Sequence, residues 1–421
     1  MEYKGIAYLK KKLSIKQSRV RTRYRYYEMK NVVRDFGIST PPDLRPFFSV
    51  LGWCGTAVDS LADRLVFRGF KDDNFDLEEI YQLNNSDILI DSADTSALIA
   101  SCSFIAISED ENGYPRMEVI EADNATGVLD HITNMLTEGY AVLERNDAGN
   151  PVKEAYYTVE YTAYYEKGEL VDYVDNPAPY ALLVPIINRP DAKRPFGHSR
   201  ISRACMSVME SVIRTMKRSE ISAEFYSFPQ KYILGMSDAD SEALEKWKAS
   251  MSSLLDIGRD EDGNLPSVGQ FSQQSMSPHM EQLKMFAAIF AGETGLTLDD
   301  LGIVSDNPSS SEAIKATHEN LRLKARKAQR DFGVGLINAG FLAACVRDNW
   351  EYQRQQIYLT KPVWEPVFET DFSSLGVVGD GINKINQAIP GYFNADNVSE
   401  LTGIRESNIE APAVQGTGGA F

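Results

Sequence analysis

The chain is short of the residues from which catalytic and metal centres are built. Four cysteines (Cys54, Cys102, Cys205 and Cys345) and four histidines (His131, His198, His279 and His318) are scattered over 421 residues. Neither set has the paired spacing of a metal site, and each cysteine lies among apolar neighbours. Reduced core thiols are therefore expected in place of a disulfide framework. No glycine-rich phosphate loop ends in a lysine, since Gly292-x-x-Gly295 and Gly333-x-Gly335 lack the rest of such a motif. There is no nucleophile elbow, and Asp299-Asp300 has no further acid at a defined spacing to complete a metal site. Neither an enzyme nor a cofactor is expected. A run of about 20 apolar residues and a secretory leader are also missing, which predicts use on the cytoplasmic side of a cell without membrane insertion.

Positive charge is in deficit as well. Lysine and arginine number 43 against 60 acidic residues, for a formal net charge of -17. That balance excludes a protein that coats nucleic acid through a broad basic surface, and leaves loose or sliding contact open. Basic residues concentrate at the N-terminus, in Lys4, Lys10, Lys11, Lys12, Lys16, Arg19, Arg21, Arg23, Arg25 and Lys30, interleaved with tyrosines, and again in Arg322, Lys324, Arg326, Lys327 and Arg330 of the long charged helix. The N-terminal pattern suits a helix leading into a turn at Gly37 and Pro41-Pro42. Such an arm can meet phosphates, an acidic protein surface, or acids of its own chain or of a neighbouring subunit.

What is present reads as an α+β chain long enough for two or three domains. Residues 49–66 form an amphipathic helix with Val50, Trp53, Ala57, Val58, Leu61 and Leu65 on one face, after which Phe67-Arg68-Gly69-Phe70 turns away. Two short helical pieces and a strand at 102–107 follow, then a tight connection at Asn112-Gly113. Residues 135–185 read as an antiparallel meander with turns at 146–150 and 166–169, its tyrosines packing across strands. Ser199 opens a long helix to about Phe225, with Ile201, Ala204, Val208, Ile213 and Ile221 as its apolar positions. Strands are expected at 357–359 and 363–368, and short helices from 379 to 388 and after 395.

The most distinctive stretch is 275–331. Residues 277–291 make a helix, with Pro278 in its first turn and apolar side chains all round, so that it should be covered on more than one side. Gly292 and Gly295 weaken it, and Asp299, Asp300 and Asp306 keep a polar crossing. Asn307-Pro308-Ser309-Ser310-Ser311 then turns into a long charged helix from Glu312. Its thin apolar stripe is read as Ala313, Ala316, Asn320, Leu323 and Lys327, with Leu321 and Ala328 flanking.

Three stretches together carry a family resemblance: WCGTAVDSLADRLVFRGF at 53–70, PFGHSRIS at 195–202 leading into the helix that ends before Pro229-Gln230-Lys231-Tyr232, and NPSSSEAIK at 307–315. The chain resembles the portal proteins of tailed bacteriophages, in the group similar to the portal of a siphophage of Bacillus. The resemblance implies an N-terminal arm and α+β wing (1–198), a first stem helix (199–225), a small α/β clip (226–276) and a second stem helix (277–291). It implies a tunnel loop (292–311), then a long wing helix and C-terminal wing (312–403) and a flexible tail (404–421). The function implied is that of a ring, a dodecamer, at one capsid vertex of the virion, assembled in the host cytoplasm. Double-stranded DNA would be packaged and ejected through its channel. The implied partners are the terminase large subunit, a head–tail connector protein, the major capsid protein and scaffolding protein. Glu281, Glu293, Asp299 and Asp300 are the candidates to face the DNA channel, where acids would repel phosphates and prevent tight binding. Another structural ring component of the head–tail connector is the alternative.

Overall fold

The computed structural model describes residues 3–33, 49–227, 231–234, 267–270, 275–303, 316–367 and 372–402. The turn expected at Gly37 and Pro41-Pro42, most of the clip, the turn at 307–311, the first residues of the long charged helix and the tail lie outside the described residues. Two compact units are formed. One comprises Met1–Tyr24, Ala57–Ile201 and Ser311–Phe421, the other Arg25–Thr56 and Ser202–Ser310.

The first unit is α+β. It opens with α1 (Ile6–Tyr27), whose last residues belong to the second unit, as does the start of α2 (Trp53–Ala62). Then come β1 (Phe67–Lys71), α3 (Leu77–Leu83), α4 (Ser86–Ala100), β2 (Cys102–Glu109) and β3 (Pro115–Glu121). The expected meander is β5 (Leu136–Arg145), β6 (Pro151–Thr158), β7 (Tyr161–Glu166) and β8 (Glu169–Asp175), and an unexpected strand before it, β4 (Ala125–Leu129), completes an antiparallel sheet in sequence order. Its turns fall where the backbone takes positive φ, at Gly149 and at Lys167-Gly168. β9 (Leu183–Ile187) returns to pair with β2, giving a second sheet in the order β3-β2-β9. All five residues of β9 are buried, and α4 and the long helix described below both pack on this sheet.

The basic N-terminal segment is tied into its own unit. Leu9 and Leu13 of α1 enter a core with Tyr140, Val142 and Tyr156. The meander tyrosines thus pack a helix as well as each other. Glu138, buried in β5, accepts the backbone N–H groups of Lys4 (2.7 Å) and Gly5 (2.8 Å) and the hydroxyl of Tyr156 (2.9 Å). It supplies the negative charge that a helix N-terminus favours. Glu154, also buried, takes Lys10 at 2.8 Å and the hydroxyl of Tyr140. Arg21 pairs with Asp123 at 2.9 Å, and Lys12 and Lys16 lie over the ring of Phe196. Burial, with repulsion from Lys16 and Lys4 behind it, lowers Lys12 to about 8.

The second unit supplies α5 (Arg203–Ser227), β10 (Lys231–Leu234), β11 (Ser267–Gln270) and α6 (Ser277–Thr294). The first unit then resumes with α7 (Glu319–Asp348), β12 (Lys361–Trp364), α8 (Phe372–Ala388) and α9 (Ala395–Thr402). Three local expectations change. Phe67–Phe70 is part of strand β1, paired antiparallel with β12, because Phe67, Phe70, Tyr81 and Trp364 form one ring cluster there. Residues 354–357 form a 3-10 turn closed by a reciprocal Gln353–Gln356 cap, and the strand begins after it. The apolar stripe of α7 is Leu321, Ala325, Ala328 and Phe332, whereas Asn320, Leu323 and Lys327 are exposed. Gly335 lets α7 approach β9, since a Cβ there would lie 2.5 Å from Ile186 Cδ1. All four cysteines are buried and free, as expected of core thiols. No described helix is long and apolar enough to cross a membrane.

Candidate channel site

The candidate residues belong to the second unit, and the α5–α6 pair positions the first two of them. α5 starts at Arg203 and not at Ser199, because residues 198–201 are held in a loop. There His198 N–H donates to Asn188 O (2.8 Å), Ser199 Oγ to Ile99 O (2.6 Å) and Arg200 N–H to Leu98 O (2.8 Å). Ser202 caps the helix by accepting Cys205 N–H at 3.2 Å. The buried face of α5 is Cys205, Met209, Val212 and Ile213, while Ala204 is exposed. The facing side of α6 is Ala287, Phe290, Ala291 and Thr294. Trp53 closes over Phe290, with ring centroids 5.6 Å apart.

Polar groups set the register of the pair. Ser202 Oγ donates to Glu293 Oε1 (2.8 Å) and Thr215 Oγ1 to Gln282 Oε1 (3.2 Å). As the number rises along α5 it falls along α6, so the helices run antiparallel. β10 and β11 continue beyond them as an antiparallel ladder from Lys231–Gln270 to Leu234–Ser267. The chain thus leaves along one helix and returns along the other. On the α1 side of this unit Tyr26 donates to Glu210 (2.7 Å), which is also 3.6 Å from Arg214. Burial, then that bond to a carboxylate, pushes the Tyr26 phenol up.

The four candidates fall in three different settings. Glu281 is exposed on α6, opposite the face that packs on α5. Glu293 is about 120° round the same helix and already accepts the Ser202 hydroxyl. α6 ends at Gly295, whose φ of 77° suits a glycine cap. The chain then makes a 3-10 turn, Asp299–Leu301, anchored by buried Leu296 and Leu301. Asp300 is the structural acid of that turn. Its carboxylate accepts Thr297 N–H (2.8 Å), and its own N–H donates to Thr297 Oγ1 (3.2 Å). Asp299 is exposed beside it. Residues 304–311, and with them Asp306, lie outside the described residues.

α6 exposes large apolar side chains on the sides its own chain leaves uncovered. Met280, Met285 and Ile289 are each about half exposed, and nothing lies within 4 Å of the position a Cβ would take at Gly292. Glu281, Met285, Ala288 and Gly292 form one line along the helix. The sequence made this helix apolar all round, and the chain itself covers one side. Sequence reading missed Ser202, Thr215 and Gln282, whose spacing carries no signal until the two helices are set side by side. Among the described residues no group of three or more histidines, cysteines and acids could hold a metal ion.

The family described as "Phage portal protein, SPP1 Gp6-like" matches residues 7–367. The portal protein of Mycobacterium phage D29 is 26% identical over 336 residues, 75% of this chain and 68% of that protein. The portal protein of Mycobacterium phage L5 is 26% identical over 332 residues, 73% and 67% of the two chains. Among solved structures, a chain in the neck of a native gene transfer agent particle computed with C12 symmetry has 15% identity and a TM-score of 0.47, over 88% of this chain and 96% of that one. A chain in the virion of the native particle has 15% identity and a TM-score of 0.44, over 92% and 99%. Matched over most of its length, the chain belongs to the phage portal protein family, in its SPP1 Gp6-like group.

Proposed function

We propose that this chain assembles as a closed ring, of twelve copies by family resemblance, at one vertex of a phage capsid, and that double-stranded DNA passes through the ring during packaging and ejection. The observation that carries the reading is the family match over 7–367. The half-exposed apolar face of α6 supports it, because such a face needs a neighbour that the chain itself does not supply. α5 and α6 would be the stem helices and the segment between β10 and β11 the clip, where a terminase large subunit and later a head–tail connector protein dock. The first unit would be the wing, meeting major capsid and scaffolding protein. Glu281, Glu293 and Asp299 would face the channel, with Asp300 shaping the turn that carries Asp299. Acids there act by repulsion. DNA gains no tight phosphate contacts and slides, while force comes from a separate motor.

Electron micrographs of the purified protein test the ring. Rings of about twelve copies with an open axial channel wide enough for duplex DNA are expected. A stable monomer at every salt concentration would overturn the proposal. For the channel, Glu281→Lys with Asp299→Lys should leave the fold intact and slow or arrest DNA translocation in a packaging assay. Asp300 is better changed to Asn, since a lysine would also break its bond to Thr297.

A further inference from the structure

The first unit carries two exposed strips of opposite charge and similar length. On α1, Tyr8, Lys11, Ile15 and Arg19 follow one another at helical spacing, on the side away from buried Leu9, Leu13 and Val20, with exposed Lys4 just ahead of the helix. Ile15 is 63% exposed although apolar, and neither Lys11 nor Arg19 makes an ion pair among the described residues. On the five-stranded sheet, β8 is the edge strand and is exposed at all seven positions. Leu170, Val171 and Tyr173 are each more than half exposed there, interleaved with Glu169, Asp172 and Asp175. These three acids also make no ion pair among the described residues.

An uncovered, apolar edge strand invites pairing, and natural proteins cover or charge such edges. The β4 edge of the same sheet is dressed by α1 of its own chain, where Lys12 Nζ donates to Gly127 O at 2.5 Å. β8 has no such cover among the described residues. At β8, Asp172 takes the N–H of Tyr173 at 2.7 Å. That local bond competes with an added strand and leaves side-chain packing as the mode of docking. A helix lying along the edge provides it.

We propose that in the ring β8 of one copy is covered by the outer strip of α1 of the next. The inference rests on the ring reading above. A ring of more than two copies needs two different, mutually complementary patches on each subunit. The two strips meet that condition in charge, in apolar content and in spacing. Along α1, Lys11 and Arg19 stand about 12 Å apart. Along β8, Asp172 and Asp175 stand about 10 Å apart on opposite faces of the sheet, and a helix lying along the edge meets side chains of both faces. With -17 formal charges on each chain, copies repel one another, and a basic strip such as that of α1 offsets this at a contact.

Three variants test the contact: Lys11→Glu with Arg19→Glu, Asp172→Lys with Asp175→Lys, and all four together. The share of protein in rings is measured by sedimentation at low salt. Each double variant should lower it roughly tenfold or more, and the quadruple variant should return to within about twofold of the wild type. Wild-type rings with both double variants unaffected, or a quadruple variant no better than the worse double, overturn this contact and leave the ring reading standing. A wild type that never forms rings overturns both. A second measurement does not depend on charge reversal. Lys11→Cys protein mixed with Asp172→Cys protein and oxidised in the ring state should give a cross-linked pair absent from either alone, and no such pair overturns the contact.

Discussion

Asp94 sits in α4 with both carboxyl oxygens buried and without a hydrogen-bond partner among the described residues. Burial, with repulsion from Asp91 second, raises its pKa well above the ordinary carboxylate value. A raised folded pKa means that the folded state keeps a proton the unfolded chain gives up. The stabilising difference is complete below the unfolded pKa, near 4, and is lost as pH rises toward the folded value. Asp94→Asn should therefore raise stability at pH 7, by on the order of 1–3 kcal/mol, and flatten the fall in urea midpoint between pH 4 and 7. Glu138 is the opposite case, a buried carboxylate with every donor in place. Glu138→Ala leaves two amides and a phenol unsatisfied, and should cost about 2–4 kcal/mol. Hydrogen exchange should locate the loss in the first turn of α1. Sequence reading found the basic residues of α1 but not their acids. Glu138 and Glu154 stand in strands far along the chain, and only the fold decides which carboxylates lie beneath a helix.

At the scale of elements, the meander was legible because alternation and turn residues agree locally. Strand β1 was not, since Phe67–Lys71 is a strand only through its partner β12, at the other end of the unit. The α7 stripe was misjudged for a related reason. Leu321, Ala325, Ala328 and Phe332 continue in phase into the buried half of the helix around Gly335 and Ala339. The charged half, taken alone, allows another phase. Gly335→Ala tests this packing. The added methyl meets Ile186 Cδ1 at 2.5 Å, so a loss of about 1–3 kcal/mol is expected in thermal or urea unfolding. In the second unit, Phe290→Ala removes the ring against which Trp53 packs at 5.6 Å. It should cost about 3–5 kcal/mol, with a shift in tryptophan fluorescence.

For the whole molecule, the surface of α6 is the feature with most consequence. Met285 and Ile289 are about half exposed on the line beside Glu281. Ile289→Lys should leave the circular dichroism and melting of the isolated chain within about 0.5 kcal/mol of the wild type, as for an exposed site, while assembly measured by light scattering is lost. Composition by itself determined that this chain carries no broad basic surface and no local motif for catalysis or metal binding. Order and spacing determined the α+β class and the family, because portal motifs lie within continuous segments. The tertiary structure alone decided which acids are free and which are structural. Glu281 and Asp299 stay exposed, Glu293 is shared with Ser202, and Asp300 holds a turn. The physical reason is that a carboxylate's role depends on the donors brought to it. Local donors such as Thr297 can be guessed from sequence, but Ser202 reaches Glu293 only once two antiparallel helices are packed. The same holds for α6, where apolar side chains on every face announce burial and only the packed pair shows which face remains for a neighbour.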